Sequence, residues 1–271
     1  MPGFDPAGST VVVTGAGNGI GAGLATSMAR RGARVVVADL DADGAQRMVD
    51  DIVAAGGTAL AAPGDAASQE GVDALISTAR AAYGPIDAWF ANAGVDRGRG
   101  LDATDADWDL SWNVNVLAHV HAARRLVPEW IERGGGRFVV TASAAGLLTM
   151  LGAPAYSVTK HGAVAFAEWL STTYRHRGIV VQAICPQGVQ TRMLAQSGEL
   201  EELLSHDVAL TVDDVAATVE KALEGDDFLI LPHAEVAGYY QVRAAKTDKW
   251  LAGMNKLQQR LDDATSQGDK Q

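Results

Sequence analysis

Cys185 is the only cysteine in 271 residues. One thiol cannot close an intrachain disulfide, so the fold must be held by its core, and this cysteine usage fits a reducing, cytoplasmic setting. Cys185 itself reads as core filling at a strand end. No apolar run approaches the length of about 20 residues that a membrane helix needs. Met1 to Gly8 has neither a basic stretch nor an apolar one, and does not read as a secretory signal. Positive charge is short: 22 Lys and Arg stand against 33 Asp and Glu, a formal net charge of −11. Nucleic acids and anionic membranes recruit a positive field, so neither is an expected partner, and the acidity reads as solubility. There is no linker-like break in composition, no internal repeat and no low-complexity segment. The expectation is one domain over residues 1–261, followed by a polar tail, 262–271, that frays. With 48% hydrophobic residues, a sizeable core is available.

Apolar β-branched runs alternate with longer helical patterns. Strands are expected at Ser9–Thr14, Arg34–Ala38, Thr58–Ala62 (weakly), Ile86–Ala91, Arg137–Ala142, Ile179–Cys185 and Asp227–Leu231. Helical patterns fall between them. One runs from about Asp105 to Arg133, where Pro128 predicts a bend or an early end, and another from Ala155 to Arg177. Runs such as Val11-Val12-Val13 are continuous rather than alternating, as strands buried on both faces require. Strict strand–helix alternation then predicts an α/β, doubly wound fold of the Rossmann type, with a seven-stranded parallel sheet flanked by helices.

The first strand leads into Thr14-Gly15-Ala16-Gly17-Asn18-Gly19-Ile20-Gly21 and then a helix. Glycines there let the backbone approach a pyrophosphate, and the helix N-terminal amides face its charge. The spacing is G-x-x-x-G-x-G rather than G-x-G-x-x-G, so the same turn could instead be a tight connection that binds nothing. Asp39 ends the second strand, eighteen residues past Gly21. A carboxylate there accepts hydrogen bonds from ribose hydroxyls. It also repels a 2′-phosphate: unit charges about 4 Å apart at an effective dielectric near 20 interact by about 4 kcal/mol. No basic residue stands at Asn18 or Leu40 to compensate, which favours NAD over NADP unless Asp39 turns to solvent.

Tyr156 and Lys160 lie one helical turn apart and share a helix face, and Ser143 ends the strand before them. An ammonium beside a phenol, together with the positive charge of an oxidised nicotinamide, favours phenolate and lowers its pKa, which would let Tyr156 act as an acid or base nearer neutral pH. A proton carrier next to a bound dinucleotide is the equipment of an alcohol/ketone oxidoreductase.

These pieces, with Asp65, Asn92-Ala93-Gly94, Asn115 and Pro186-x-x-Val189-x-Thr191, are ordered and spaced as in one family. From about Ser9 to Leu231 the sequence resembles the short-chain dehydrogenases/reductases, in their non-extended branch. The resemblance implies that Tyr156 is the acid/base and that Ser143 hydrogen-bonds the substrate oxygen. It implies that Lys160 binds nicotinamide ribose and lowers the tyrosine pKa, and that Asn115 holds a water in a proton relay to Lys160. Asn113 stands at the wrong offset for that role. The resemblance further implies a cofactor site of Gly15, Asn18, Gly19, Ile20, Asp39, Leu40, Asp65, Ala66, Asn92, Ala93, Gly94, Pro186, Val189 and Thr191, together with Tyr156 and Lys160. Asp65 would contact adenine and Asn92 would brace the sheet. Two departures stand out: Ala91-Asn92 where a double Asn is usual, and Pro186-Gln187 where Pro-Gly is usual. Gln187 either touches substrate or points away. Taken singly, Thr191 could be a helix cap and Asn115 a helix residue bonding its own backbone.

The segment 192–208 corresponds to the family's substrate lid and carries Met193, Leu194, Leu200, Leu203 and Leu204. The loop after Ser143 adds Leu147, Leu148, Met150 and Leu151. With Ser143, Leu148, Tyr156, Gln187 and Met193 as substrate contacts, the expected substrate is an uncharged, hydrophobic or aromatic secondary alcohol and its ketone, up to the size of a steroid. Lid-to-core packing would account for the same residues. Beyond the seventh strand, over 233–261, Tyr239, Tyr240, Trp250, Leu251, Met254 and Leu257 suggest amphipathic helices that pack on a partner subunit or cover a pocket. A homo-oligomer, tetramer or dimer, is expected, and no metal. The competing reading keeps the fold as a non-catalytic dinucleotide sensor or scaffold. A dehydratase or epimerase would need a larger substrate domain than this chain can supply.

Overall fold

The valine triplets of the first two strands are buried on both sides because helices cover both faces of the sheet. The computed structural model describes residues 3–195 and 209–268. Its strands are β1 (Thr10–Thr14), β2 (Arg34–Asp39), β3 (Thr58–Pro63), β4 (Ala88–Ala91), β5 (Gly136–Thr141), β6 (Ile179–Ile184) and β7 (Leu229–Ile230). They form one parallel sheet in the order β3-β2-β1-β4-β5-β6-β7. Odd-numbered valines (Val11, Val13, Val35, Val37) pack with Leu24 and Met28 of α1 (Gly19–Arg30). Even-numbered Val12 and Val36 face α3 (Gln69–Tyr83) and α5 (Ala118–Arg133), meeting Leu75, Ile76, Leu126 and Trp130. Each such large side chain, fully buried, contributes roughly 1.5–3 kcal/mol.

The expected fold class holds, and the departures have local causes. The helix expected over 105–133 does not yield at Pro128. Pro128 lies on the exposed side of α5, where the carbonyl it frees can be hydrated, and the helix runs on to Arg133 and its left-handed cap Gly134. The interruption comes earlier. α4 (Asp105–Trp112) passes through a π-turn, Asn113–Leu117, before α5 begins. Asn115, in that turn, is fully buried. It donates to the Val95 carbonyl (2.9 Å) and to Thr159 Oγ1 (2.9 Å), and accepts from the Val95 amide (2.9 Å). A side chain fastened at three points to two other segments holds the wider turn open.

β7 pairs over two residues only, against Ala183 and Ile184, as suits a sheet edge. Past it come α10 (Glu235–Ala245) and α11 (Thr247–Gly268), after α9 (Val212–Ala222). The helix α11 extends through Asp262, where the composition had suggested a frayed tail. Of the lid, α8 (Arg192–Ala195) is described; Leu200, Leu203 and Leu204 lie outside the described residues.

β1 sits where the strand order reverses, with β2 on one side and β4 on the other, which opens a crevice at the carboxyl edge of the sheet. The turn after β1 fills it closely. Gly15 has φ 62° and Gly19 φ 56°, and a Cβ on Gly21 would stand 2.2 Å from the Gly15 carbonyl oxygen and 2.5 Å from Asn92 Nδ2. Gly21→Ala should therefore cost about 1–3 kcal/mol of stability by urea unfolding and weaken NADH binding, because the turn must shift as backbone. Wild-type values for both would contradict this geometry.

Candidate active site

Six strand ends and one helix deliver the groups. Asn92, just past β4, donates from Nδ2 to the carbonyls of Thr14 (2.9 Å) and Gly15 (3.1 Å), tying the glycine turn to the neighbouring strand. Asp39, at the end of β2, accepts the Gly17 amide on Oδ2 (2.8 Å) and the Asp41 amide on Oδ1 (2.9 Å). That leaves lone pairs on a carboxylate fixed at the cavity wall. Asp65 accepts the Ala67 amide (2.9 Å) and borders the same space.

Tyr156 and Lys160 come from α7 (Pro154–Tyr174), whose first position is a proline that presets the helical φ. Lys160 is 3% exposed, and its Nζ donates to the Thr141 carbonyl at the end of β5 (2.8 Å). An ammonium has three donors, so two remain for the cavity. Nζ lies 5.6 Å from the centre of the Tyr156 ring, and Ser143 stands beside the Tyr156 phenol, near enough to favour its phenolate. Ser143 Oγ also accepts the Ala145 amide (3.0 Å), and the Pro186 carbonyl accepts the Ala144 amide (2.8 Å), which joins the ends of β5 and β6. A Cβ on Gly94 would come within 3.2 Å of Lys160 Nζ and 3.3 Å of Asn115 Oδ1. Only glycine leaves that corner open.

Every residue expected to contact cofactor or substrate or to act in catalysis, Asn115 excepted, lines one cavity of about 1340 Å³. Asn115 stands behind it, and Asn113 borders the cavity instead. Both donors of the Asn115 side chain and one acceptor position are spent on Val95 and Thr159. A relay water is therefore left the backbone carbonyl of the π-turn or one remaining Oδ1 lone pair. The electrostatics of the isolated site run opposite to expectation. Burial pushes the Tyr156 phenol up to about 12, opposed by the Ser143 hydrogen bond, with Asp96 and Cys185 nearby adding to the rise. Burial also pushes Lys160 down to about 8, against the attraction of Cys185 and Asp96. At this phenol desolvation outweighs the neighbouring ammonium.

Several contributors had no signal in the sequence. Thr141 offers Lys160 a backbone carbonyl, which any residue could do. Asp96 and Arg97 border the cavity from an irregular loop. His233 accepts the Gln187 amide on Nδ1 (3.1 Å) from beyond β7, and with it fixes the turn after Pro186. Gln187 itself lines the cavity, and its Oε1 is buried without a hydrogen-bond partner. Thr191 accepts the Leu194 amide at 3.4 Å as well as lining the cavity. Among the described residues no cluster of His, Cys, Asp or Glu could hold a metal. No helix among them is long and apolar enough to cross a membrane.

The family model for short chain dehydrogenases matches residues 9–202. The chain belongs to that family. Among relatives of this short-chain dehydrogenase, 1-deoxy-11-beta-hydroxypentalenate dehydrogenase of Streptomyces exfoliatus is 34% identical over 228 residues, covering 83% of this chain and 82% of the relative. Cyclohexanol dehydrogenase of an Acinetobacter species is 31% identical over 241 residues, 88% of this chain and 94% of the relative. A short-chain dehydrogenase/reductase from Burkholderia phymatum, solved in complex with NAD, superposes with a TM-score of 0.85 at 28% identity, covering 90% and 96% of the two chains. This short-chain dehydrogenase is thus an oxidoreductase with the strand order and the glycine turn that dinucleotide binding needs.

A titration consequence follows from Lys160. Unfolded, it holds its proton to about pH 10.4; folded, it releases it near 8. Between those values the unfolded chain binds more protons, so this group makes stability rise with pH across that window. Urea unfolding of the cofactor-free protein at a series of pH values should show that rise in wild type and lose it in Lys160→Met. An identical pH dependence in both proteins would refute it.

Proposed function

We propose that the protein is an NAD(H)-dependent oxidoreductase that interconverts a hydrophobic secondary alcohol and its ketone, with Tyr156 as acid and base. One observation carries this reading: the Tyr156 phenol, beside Ser143 and one turn from Lys160, opens onto the same cavity as the glycine turn and Asp39. The residues fit the cofactor. Gly15 and Gly19 take left-handed backbone, Gly21 leaves no Cβ in the crevice, and Asp39 presents free lone pairs where ribose hydroxyls would lie and a 2′-phosphate would be repelled. Bound there, NAD supplies the hydride acceptor, and NADH the donor.

The protein's part is positional and electrostatic. In oxidation Tyr156 removes the hydroxyl proton. Its phenol holds that proton strongly in the isolated site, so forming the phenolate would need the positive charge of an oxidised nicotinamide together with Lys160. In reduction the neutral phenol is already in its donor form. Ser143 offers a hydrogen bond to the developing alkoxide, worth several kcal/mol in a water-poor site. Lys160 keeps two donors for ribose and relay, and Asn115 fixes the π-turn behind it. Leu148, Met150, Leu151 and Met193 give the cavity an apolar wall. Cyclohexanol and pentalenate relatives, by their names, act on ring alcohols, which supports a ring-bearing substrate here.

Self-association is part of the proposal. Leu110 and Trp112 on α4, with Val158 and Trp169 on α7, are each 43–53% exposed, a group of large apolar side chains on two touching helices. Light scattering at micromolar concentration should give a dimer or tetramer mass; a monomer mass would count against it. The single buried thiol fits a cytoplasmic setting.

The decisive assay follows NADH absorbance with NAD or NADP across aliphatic, cyclic and steroidal secondary alcohols. Turnover with NAD only, on ring alcohols, is expected. Tyr156→Phe should lower kcat by about 10²–10⁴ while NADH still binds. Loss of NADH binding in that variant would make the tyrosine structural, and NADH binding with no turnover of any alcohol would point to a sensor.

A further inference from the structure

The C-terminal helix pair gives the cavity a second wall. On α11, Trp250, Met254 and Leu257 recur at i, i+4 and i+7, one face of a helix, and all three line the cavity onto which Tyr156 opens. Tyr239 of α10 lines it as well, its ring centre 6.2 Å from that of Trp250 and tilted by 43°. The opposing loop is stiff. Thr149 is held at φ 68°, an unusual conformation for a β-branched residue, and Ser157 Oγ accepts the Met150 amide (2.9 Å) and donates to its carbonyl (3.2 Å).

The helix pair is fastened to the chemistry by one guanidinium. Arg243 on α10 donates from Nη1 to the Leu147 carbonyl (2.7 Å), and its Nη2 lies 3.3 Å from His161 Nε2. The direction of the second bond is fixed by the other ring nitrogen. His161 Nδ1 lies 2.9 Å from the Ser157 carbonyl, which can only accept, so the proton sits on Nδ1 and Nε2 carries the lone pair that accepts from Arg243. Leu147 belongs to α6 (Ala145–Leu148), just past Ser143, and His161 directly follows Lys160. Arg243 therefore grips both segments that bear the reacting groups.

We propose that this latched helix pair is the specificity wall of the site, with Arg243 as its positioning residue, and that it selects a rigid, flat, apolar ring body. Two aromatic faces and a methionine opposite a stiff loop form a slot, and the wall from α11 carries no charge into it. A rigid ring system loses little conformational freedom on entering such a slot, whereas a flexible chain loses much. The inference deepens the alcohol/ketone reading and rests on it for the chemistry, though not for the binding.

The test therefore reads binding and turnover separately, on the full chain. Progesterone, a fused-ring ketone, is titrated onto the NADH-loaded protein by equilibrium dialysis. Wild type should bind it, and Arg243→Met and Trp250→Ala should each weaken binding roughly tenfold. Arg243→Met should also speed amide hydrogen exchange along α11, and Arg243→Lys, which retains the charge and a donor, should recover part of both effects. In turnover, the two loss variants should lower the preference for fused-ring alcohols over cyclohexanol, through KM more than kcat. Progesterone binding that responds to the variants in a protein that oxidises no alcohol would sink the alcohol/ketone reading and leave the wall standing. Failure of wild type to bind progesterone, or affinity and exchange unchanged in both loss variants, overturns the wall.

Discussion

A lysine ammonium buried among main-chain groups is the constraint around which this site is built. Lys160 has the Thr141 carbonyl as its fixed partner, and desolvation alone is strong enough to pull its proton affinity down by more than two orders of magnitude. Holding such a group demands precise neighbours. β5 has to end where its last carbonyl meets Nζ. Gly94 has to lack a side chain. The helix beyond β4 has to widen into a π-turn so that Asn115 can fasten Val95 and Thr159 beside it. The phenol one turn earlier on α7 then inherits its position from the lysine, and Ser143 inherits its own from the joined ends of β5 and β6.

Much of this was legible in the residues. The valine triplets announced a sheet covered on both faces, since only helices on each side bury odd and even positions alike. The glycines were legible because the crevice forbids anything larger: a Cβ at position 21 would collide with the Gly15 backbone as well as with the Asn92 amide. The Tyr156–Lys160 spacing was legible because four residues make a helical turn. What escaped were properties that depend on surroundings. Pro128 reads as a helix breaker until it is found on the exposed side of α5. Nothing in the residues told that both donors of Asn115 are spent on Val95 and Thr159. The lysine and an oxidised nicotinamide are expected to lower the tyrosine's pKa; without the cofactor's charge, burial is the larger effect.

The two ends of the cavity are specified differently. At the cofactor end the chain uses backbone geometry and two carboxylates, Asp39 and Asp65, with little tolerance for substitution in the glycine turn. At the substrate end it uses interchangeable apolar side chains from three separated segments: the loop after Ser143, the start of α8, and the helices past β7. Packing residues of that sort leave no motif, so a substrate can change through them while the chemistry stays fixed.

Cys185 ends where β6 meets the site, wholly buried, with its thiol pushed up to about 12 by that burial. A thiol so reluctant to become thiolate is a poor target for alkylating reagents and mild oxidants. The protein is in effect a cysteine-free scaffold without having been made one. A single cysteine placed on an exposed position such as Leu251 would be its one reactive thiol, ready to carry a probe on the C-terminal helix with every native residue of the site in place.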